Sequence, residues 1–357
     1  MHGWGANSHG QLGLGFTSEM CDSPQQVESI PVELKNIASV SAGGGHTLIL
    51  ADDGQLFASG WNNRGQLGLG HAEDVNRFTC VTVGREEGFK SIATGWDVSG
   101  AINARGDLYL WGSNVWLQIA DKSVKYLSTP TRVELPAGRY AQKVCFGLRH
   151  TCVLMDDGSL LLFGKSKWLE QGKYDGFVRC GMPFFHLKDD EKITDVVSGE
   201  NHLVLQYQQE AIVCKGDDKF GQCLKGRDVN ISRNEIVKLQ SGWSHSGYLT
   251  RHGTVYLWGR NSYGQLGVPA GTAGCDDPVL LNIESKVIDF CLGSQHGIAL
   301  AEDGLYTWGW NEHGNCGVGG LENVWAPTKI TDMKKCDKIS TGVAFCFAWQ
   351  TGRRFSF

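Results

Sequence analysis

Two repeated groups of residues in this chain are of types that could do chemistry. Five histidines each follow a glycine by three positions, and imidazole is a common metal ligand and proton carrier. These are His46, His150, His202, His245 and His296. The stretches 10–15 and 65–70, both Gly-Gln-Leu-Gly-Leu-Gly, have the composition of loops that hold phosphate groups. The residue types therefore raise the hypotheses of a metal site, a catalytic histidine and a nucleotide-binding loop.

The spacing of these residues favours structural roles instead. A phosphate loop needs Gly-x-x-x-x-Gly-Lys-Ser/Thr at the start of a helix, but no lysine follows either stretch and no helical periodicity begins there. Metal ligands must converge within ~2 Å of one ion, whereas the five histidines lie in separate repeats. Ser244 beside His245 lacks the Gly-x-Ser-x-Gly spacing of a nucleophile elbow. We therefore predict turns and buried, hydrogen-bonded histidines, with no catalytic residue, no metal and no cofactor.

Two repeated markers define the elements that must position these residues. The first is a glycine that opens a polar stretch, in its best copies Trp-Gly-x-Asn-x-x-Gly-Gln-Leu-Gly; it occurs at Gly5, Gly60, Gly112, Gly164, Gly216, Gly259 and Gly309. The second is the glycine of the Gly-x-x-His motif, at Gly43, Gly95, Gly147, Gly199, Gly242, Gly293 and Gly342. Val98 and Phe345 replace the histidine in two copies. Units of roughly fifty residues predict a circular array of small sheets, and hence one domain over residues 1–357.

Each unit has the local pattern of antiparallel strands. Asp-Gly, as at Asp53-Gly54, is a tight-turn signal between an apolar run and an alternating run, which together predict a hairpin. Segments with proline, which lacks a ladder donor, should form the outer part of each sheet. The short interval from Gly216 to Gly259 predicts that one unit has lost part of its outer segment. The chain begins inside a unit, so we expect the C-terminal segment 352–357 to meet the N-terminal strand and close the ring.

Bulk composition excludes several classes of protein. A formal net charge of −5 and the lack of a basic arm argue against direct nucleic-acid binding, which requires clustered lysine and arginine. No apolar run is long enough for membrane insertion. The 12 cysteines include no Cys-x-x-Cys pair and no leader peptide precedes them, so reduced thiols and a cytoplasmic location, with the nucleus also open, are expected.

The repeat resembles that of the regulator of chromosome condensation family over essentially the whole chain. The family's fold is a seven-bladed β-propeller, so the resemblance implies an all-β propeller closed by pairing of N- and C-terminal strands. Within the family the chain resembles in particular the secretion-regulating guanine nucleotide exchange factor group, through residues 4–15 and the run from Tyr306 to Pro327. The basic tail of the chromatin-bound member has no counterpart here, and the unit at 111–118 shows no inserted wedge.

Residues that vary inside this constant frame are the candidate binding residues, because loops on a rigid scaffold carry function. Several lie between the second-marker glycine and the histidine position, and their composition is typical of a protein-binding hot spot: Trp96, Asp97, Arg149, Glu200, Trp243 and Gln295. Trp310, Glu312 and Trp325 join them because propeller geometry does not demand them. The alternative is that these residues only cap loops.

The resemblance implies a function through protein partners. It predicts an exchange factor or adaptor for a Ran-like small GTPase, or binding to a secretory-machinery protein, in the regulation of secretion. The alternative hypothesis is an interaction scaffold without exchange activity.

Overall fold

The structure, a computed structural model, describes residues 1–28, 30, 31, 34, 36–82, 88–119, 121–166, 192–208, 211–227, 229, 230, 235–331, 333 and 335–351. Strands in this part of the chain form seven antiparallel sheets arranged around a central channel. We number these sheets as blades 1 to 7, beginning with the first blade whose strands are consecutive in the chain. The predicted all-β, seven-bladed propeller is confirmed.

Every blade contributes its strands in the same radial order. The innermost strands, which line the channel, are β3 (Ile37–Ala42), β7 (Phe89–Thr94), β11 (Ala141–Phe146), β14 (Ile193–Ser198), β18 (Ile236–Ser241), β22 (Val287–Leu292) and β26 (Lys338–Thr341). The second strands are β4 (His46–Ala51), β8 (Val98–Asn103), β12 (His150–Met155), β15 (His202–Tyr207), β19 (His245–Thr250), β23 (His296–Ala301) and β27 (Phe345–Trp349). The third strands are β5 (Leu56–Gly60), β9 (Leu108–Ser113), β13 (Leu160–Gly164), β16 (Ala211–Gly216), β20 (Val255–Arg260), β24 (Gly304–Gly309) and β1 (His2–Asn7).

The outermost strands vary most among the blades. They are β6 (Val75–Val81), β10 (Tyr126–Arg132), β17 (Val229–Asn230), β21 (Gly274–Leu280), β25 (Val324–Ile330) and β2 (Ser18–Gln26). In blade 4 the outer strand is only two residues long and follows a short 3₁₀ helix, Leu224–Gly226, which confirms the predicted loss of outer segment. The described part of blade 3 contains three strands, and residues 167–191 lie outside it.

Burial explains why the second strands are so apolar. In β4, β8 and β12 every residue is buried, because a strand near the centre of the ring touches neighbouring blades on both faces. Buried hydrophobic side chains form a cluster at each boundary between blades. Each blade therefore buries its faces only against its two neighbours, and ring closure completes the core.

Blade 7 closes the ring with strands from both ends of the chain. In this blade β1 pairs antiparallel with β27, bringing His2 opposite Ala348 and Gly5 opposite Phe345. The closing strand is therefore the apolar run after Gly342, not the predicted segment 352–357, which lies outside the described residues. The run after Gly342 takes this place because it is the seventh copy of the second strand and is buried at every residue, as β4, β8 and β12 are.

Candidate functional site

Two sets of loops meet at one face of the propeller; the set after the third strands is described in every blade but blade 3, where most of that segment lies outside the described residues. The Gly-x-x-His loop joins the innermost strand to the second strand, and the Gly-Gln-Leu-Gly turn follows the third strand. Since successive antiparallel strands reverse direction, these two loops lie at the same end of the blade and the Asp-Gly hairpins at the opposite end. The first set surrounds the mouth of a channel of about 400 Å³. We call this end of the propeller the mouth face.

Hydrogen bonds between backbone groups tie the mouth loops to one another. The Leu148 N–H donates to the Glu200 carbonyl at 3.0 Å, the Glu200 N–H to Trp243 at 3.0 Å, and the Trp243 N–H to Ser294 at 3.0 Å. The Val343 N–H donates to the Gly43 carbonyl at 3.0 Å. Side chains on these loops are therefore presented from a connected, rigid rim.

In the Gly-x-x-His motif the histidine ring packs against the glycine of the same loop. A Cβ atom on Gly199 would lie 2.0 Å from Cε1 of His202, so only glycine leaves room for the ring. Nε2 of His202 lies 2.9 Å from Oγ of Ser246 in the next blade, and Nε2 of His46 lies 2.8 Å from Oγ of Ser99. These histidines link neighbouring blades.

Burial keeps the repeated histidines neutral. It lowers the pKa of His46, His202, His245 and His296 to about 3, and that of His150 to about 4. In each case the cause is the loss of solvation of the charged ring. For His245 the neighbouring blade has Gly297 at the position of the partner serine, so among the described residues neither ring nitrogen has a hydrogen-bond partner, and the prediction of a hydrogen-bonded histidine is wrong at this copy. The structure thus shows inter-blade contacts where the residue type alone suggested chemistry.

The Gly-Gln-Leu-Gly turns use their own amide groups. In the first copy the Leu12 N–H donates to Oδ1 of Asn7 at 3.2 Å, and the His9 N–H donates to Oε1 of Gln11 at 2.9 Å. The Gly13 N–H donates to the Gly10 carbonyl at 2.9 Å. Amides committed in this way do not cradle a phosphate, and the turn interpretation agrees with the structure.

Four buried tryptophans each hold a turn of the preceding blade: Trp4, Trp111, Trp258 and Trp308. The indole N–H of Trp308 donates to the Gln265 carbonyl at 3.0 Å, and that of Trp111 donates to the Gln66 carbonyl at 2.9 Å. Both rings are fully buried. These indole hydrogen bonds fix the turns of the mouth face to the blade interior.

A cavity of about 670 Å³ opens on the mouth face. Six of the nine predicted partner-binding residues line it: Trp96, Glu200, Trp243, Gln295, Trp310 and Glu312. The rings of Trp96 and Trp243, from blades 2 and 5, lie 5.7 Å apart at 48° and so meet across the channel mouth. Residues far apart in the chain are brought together here because each occupies an equivalent loop.

The other three predicted residues lie elsewhere. Asp97 is half-buried, and burial raises its pKa against the opposing effects of Ser113 and Arg64. Arg149 is exposed and its guanidinium carbon lies 4.4 Å from the ring centroid of Trp116. Trp325, in outer strand β25, packs on Gly264 of the preceding blade, where its Cε3 would lie 3.2 Å from an added Cβ. Trp325 is thus placed in a packing contact away from the cavity.

Charged groups on the mouth face are linked through Glu200. Burial, together with the nearby Asp217 carboxylate, raises the pKa of Glu200, while Arg149 and Arg260 act in the opposite direction. The guanidinium carbon of Arg260 lies 4.7 Å from the Phe220 ring centroid. A half-buried carboxylate under the influence of two arginines gives this face a mixed charge that a partner's charges can match.

The cavity also contains residues that the sequence analysis missed. His9, Trp61 and Tyr263 line it; His9 stacks on Trp61 at 5.3 Å and its Nδ1 lies 2.8 Å from Oδ2 of Asp74. These side chains come from the turn after the third strand, for which the sequence predicts only a structural role. The available signal was that the residue after the first-marker glycine varies among the repeats, from Ala6 to Trp61.

Among the residues that the structure describes, no helix has the length and apolar character needed to cross a membrane.

The strand order and the loops of the mouth face define this protein as a closed β-propeller with its variable loops on one face. The chain belongs to the RCC1-like domain family, which matches residues 1–348. It is 31% identical over 368 residues to the secretion-regulating guanine nucleotide exchange factor of Mus musculus, covering 92% of this chain and 77% of that protein. It is 28% identical over 332 residues to the ultraviolet-B receptor UVR8 of Arabidopsis thaliana, covering 88% and 74%.

Solved structures show the same fold. The crystal structure of Prp20p from Saccharomyces cerevisiae, studied with its binding properties to Gsp1p and histones, superposes with a TM-score of 0.83. The two proteins share 22% identity, and the match covers 97% of this chain and 90% of Prp20p. This likeness shows the propeller architecture.

Proposed function

We propose that this protein is a guanine nucleotide exchange factor or adaptor for a Ran-like small GTPase, and that the mouth face holds the GTPase. The observation that carries the proposal is the convergence of Trp96, Trp243 and Glu200 on one cavity at the channel mouth. Two tryptophans and a half-buried charge on a rigid rim form the kind of patch in which binding energy concentrates. The similarity to the secretion-regulating exchange factor supports the choice of partner class.

Exchange of this kind requires no covalent chemistry. A protein that binds the nucleotide-free GTPase more tightly than the nucleotide-bound form lowers the GTPase's affinity for nucleotide by the same factor, because the two binding equilibria are linked. Each tenfold loss of nucleotide affinity corresponds to about 1.4 kcal/mol of differential binding. The residues described here would supply it by contact and charge.

The tryptophan pair and Glu200 would have different roles. Trp96 and Trp243 are half-buried and held by their neighbours, so they lose little side-chain freedom when a partner covers them. Glu200, already partly desolvated, forms with Arg149 and Arg260 a charged patch that complementary charges on a partner can match. We further propose a role in secretion, with a secretory-machinery component as a further partner and a cytoplasmic location that extends to the nucleus.

A scaffold without exchange activity is the second candidate. The similarity to UVR8 favours this candidate. UVR8 is named as a receptor and not as an exchange factor, so a protein with this domain can have another function. Both candidates use the same face, and they differ only in whether nucleotide release follows binding.

Capture of a nucleotide-free GTPase tests the use of the mouth face. The variant Arg149→Glu with Glu200→Arg reverses two charges on that face and leaves the net charge unchanged. A matched control reverses the exposed Lys329–Asp303 pair, 2.8 Å apart, at an Asp-Gly hairpin on the opposite face. We expect the mouth variant to weaken capture by at least about tenfold, or about 1.4 kcal/mol, and the control to leave it unchanged. Equal capture by both variants would contradict the proposal.

A further inference from the structure

Aromatic rings on the mouth face differ in whether the chain supplies them with a cation. The guanidinium carbon of Arg149 lies 4.4 Å from the centroid of Trp116. Arg260 lies 4.7 Å from Phe220 and 5.0 Å from Tyr263. At these sites an arginine sits on an aromatic ring, an arrangement stabilised by the attraction between a cation and the ring's negative face.

The remaining large rings of the cavity have no arginine or lysine on them among the described residues, and two of them contact a histidine instead: His9 stacks on Trp61 and His313 meets Trp310 edge-on. Within the described ranges, no lysine or arginine lies over the rings of Trp61, Trp96, Trp243 or Trp310. All four are half-buried and line the same cavity. Compared with the arginine–aromatic contacts beside them, these rings lack the cation.

Carboxylates on the cavity wall add a matching charge. Glu19 and Glu312 are exposed, and neither forms an ion pair with another described residue. Among the described residues that line the cavity the one arginine is Arg260, which already lies over Phe220 and Tyr263 and interacts electrostatically with Glu200. The free part of the cavity therefore combines aromatic faces with unpaired negative charge.

We infer that this cavity binds the guanidinium group of an arginine on an exposed loop of the protein partner. The inference rests on the proposed use of the mouth face for a protein partner, and it specifies what enters the cavity. Arginine is preferred to lysine because its planar, weakly hydrated guanidinium stacks on rings and can donate to carboxylates such as Glu312 at the same time. A volume of about 670 Å³ admits the side chain together with the loop that carries it.

Peptide binding followed at the tryptophans tests the inference without any GTPase. The peptides Gly-Ser-Gly-X-Gly-Ser-Gly, with X arginine, lysine or the uncharged analogue citrulline, are titrated into full-length protein labelled with ¹⁵N at its 12 tryptophans. Indole N–H signals are assigned by single Trp→Phe substitutions. We expect the arginine peptide to shift the signals of Trp61, Trp96, Trp243 and Trp310 with a Kd near 1 mM, and to bind at least about tenfold more tightly than the other two peptides.

Matched variants separate a cavity effect from a general one. Trp310→Leu and the exposed Glu312→Gln should each weaken binding of the arginine peptide by about three- to tenfold. Trp116→Leu, which removes a ring on the same face that Arg149 already covers, should leave binding unchanged. Thermal unfolding of each variant checks that the fold is retained.

The outcomes are distinct. Equal binding of the citrulline or lysine peptide, an equal shift at Trp116, or no shift at the highest peptide concentration would each overturn the inference. A protein that binds the arginine peptide and captures no GTPase would contradict the proposed function and leave this inference standing. GTPase capture without arginine binding would do the reverse.

Discussion

The buried histidines should make the propeller sensitive to mild acid. Burial lowers the pKa of four of them to about 3 and that of His150 to about 4, whereas an unfolded chain gives about 6.5. Below pH 6.5 the unfolded state therefore binds protons that the folded state does not, and the free energy of unfolding falls as the pH falls. The stabilisation is fully present above pH 6.5 and is lost progressively down to about pH 3.

The size of the effect follows from the number of histidines. Between pH 7 and pH 5 each histidine lowers the free energy of unfolding by about 2 kcal/mol, so the five together lower it by about 10 kcal/mol. This is comparable to the total stability of about 5–15 kcal/mol that is usual for a folded protein. We expect the urea midpoint to drop steeply over this range.

Urea unfolding between pH 5 and pH 8, followed by circular dichroism, measures the effect. His46→Val serves as the test variant because Val98 occupies the equivalent position in blade 2. It should flatten the pH dependence by about 1.4 kcal/mol per pH unit well below pH 6.5, the contribution of one proton. A free energy of unfolding that stays constant from pH 7 to pH 5, or a variant with the wild-type slope, would refute the argument.

Three further predictions concern the frame and the face. Leu117 has a φ of 63° where most other turns have glycine, so Leu117→Gly should raise the free energy of unfolding by about 1 kcal/mol in urea titration, and a lower midpoint would argue against strain there. Gly199→Ala should cost at least about 2 kcal/mol in the same assay, since its Cβ would lie 2.0 Å from His202; an unchanged stability would mean that the ring does not pack on the glycine. The Arg149→Glu, Glu200→Arg variant should keep its Tm within about 3 °C of wild type by calorimetry, and a larger fall would show that these charges support the fold.

The frame of the propeller could be predicted from sequence because its constraints are local. Gly5 and Gly60 adopt φ values of 97° and 110° and stand against backbone atoms of neighbouring loops, so the same residue type recurs at each copy. The closing strand was misplaced because its partner lies at the other end of the chain. The sequence near residue 352 does not show whether this segment pairs with the N-terminal strand. In the structure that strand pairs with Phe345–Trp349 instead.

The candidate site was predicted in part, for a related reason. Trp96, Glu200 and Trp243 occupy equivalent loop positions, so the repeat phase alone assigned them to one face. Trp61 was missed because its position follows a structural glycine, and Trp325 was included although it packs on a neighbouring turn. Which variable side chains line the cavity depends on how loops from different blades converge, and a repeat pattern along the chain does not specify that convergence.

Release of a fluorescent nucleotide from Ran-like GTPases is the most direct test of the proposed activity. Purified protein is added in catalytic amounts to a panel of GTPases loaded with labelled GDP, with excess unlabelled nucleotide present. We expect at least about tenfold faster release from one member of the panel, loss of that acceleration in the Arg149→Glu, Glu200→Arg variant, and normal acceleration in the Asp303→Lys, Lys329→Asp control. A GTPase that binds the mouth face with no change in its release rate would contradict exchange activity and leave the scaffold as the function.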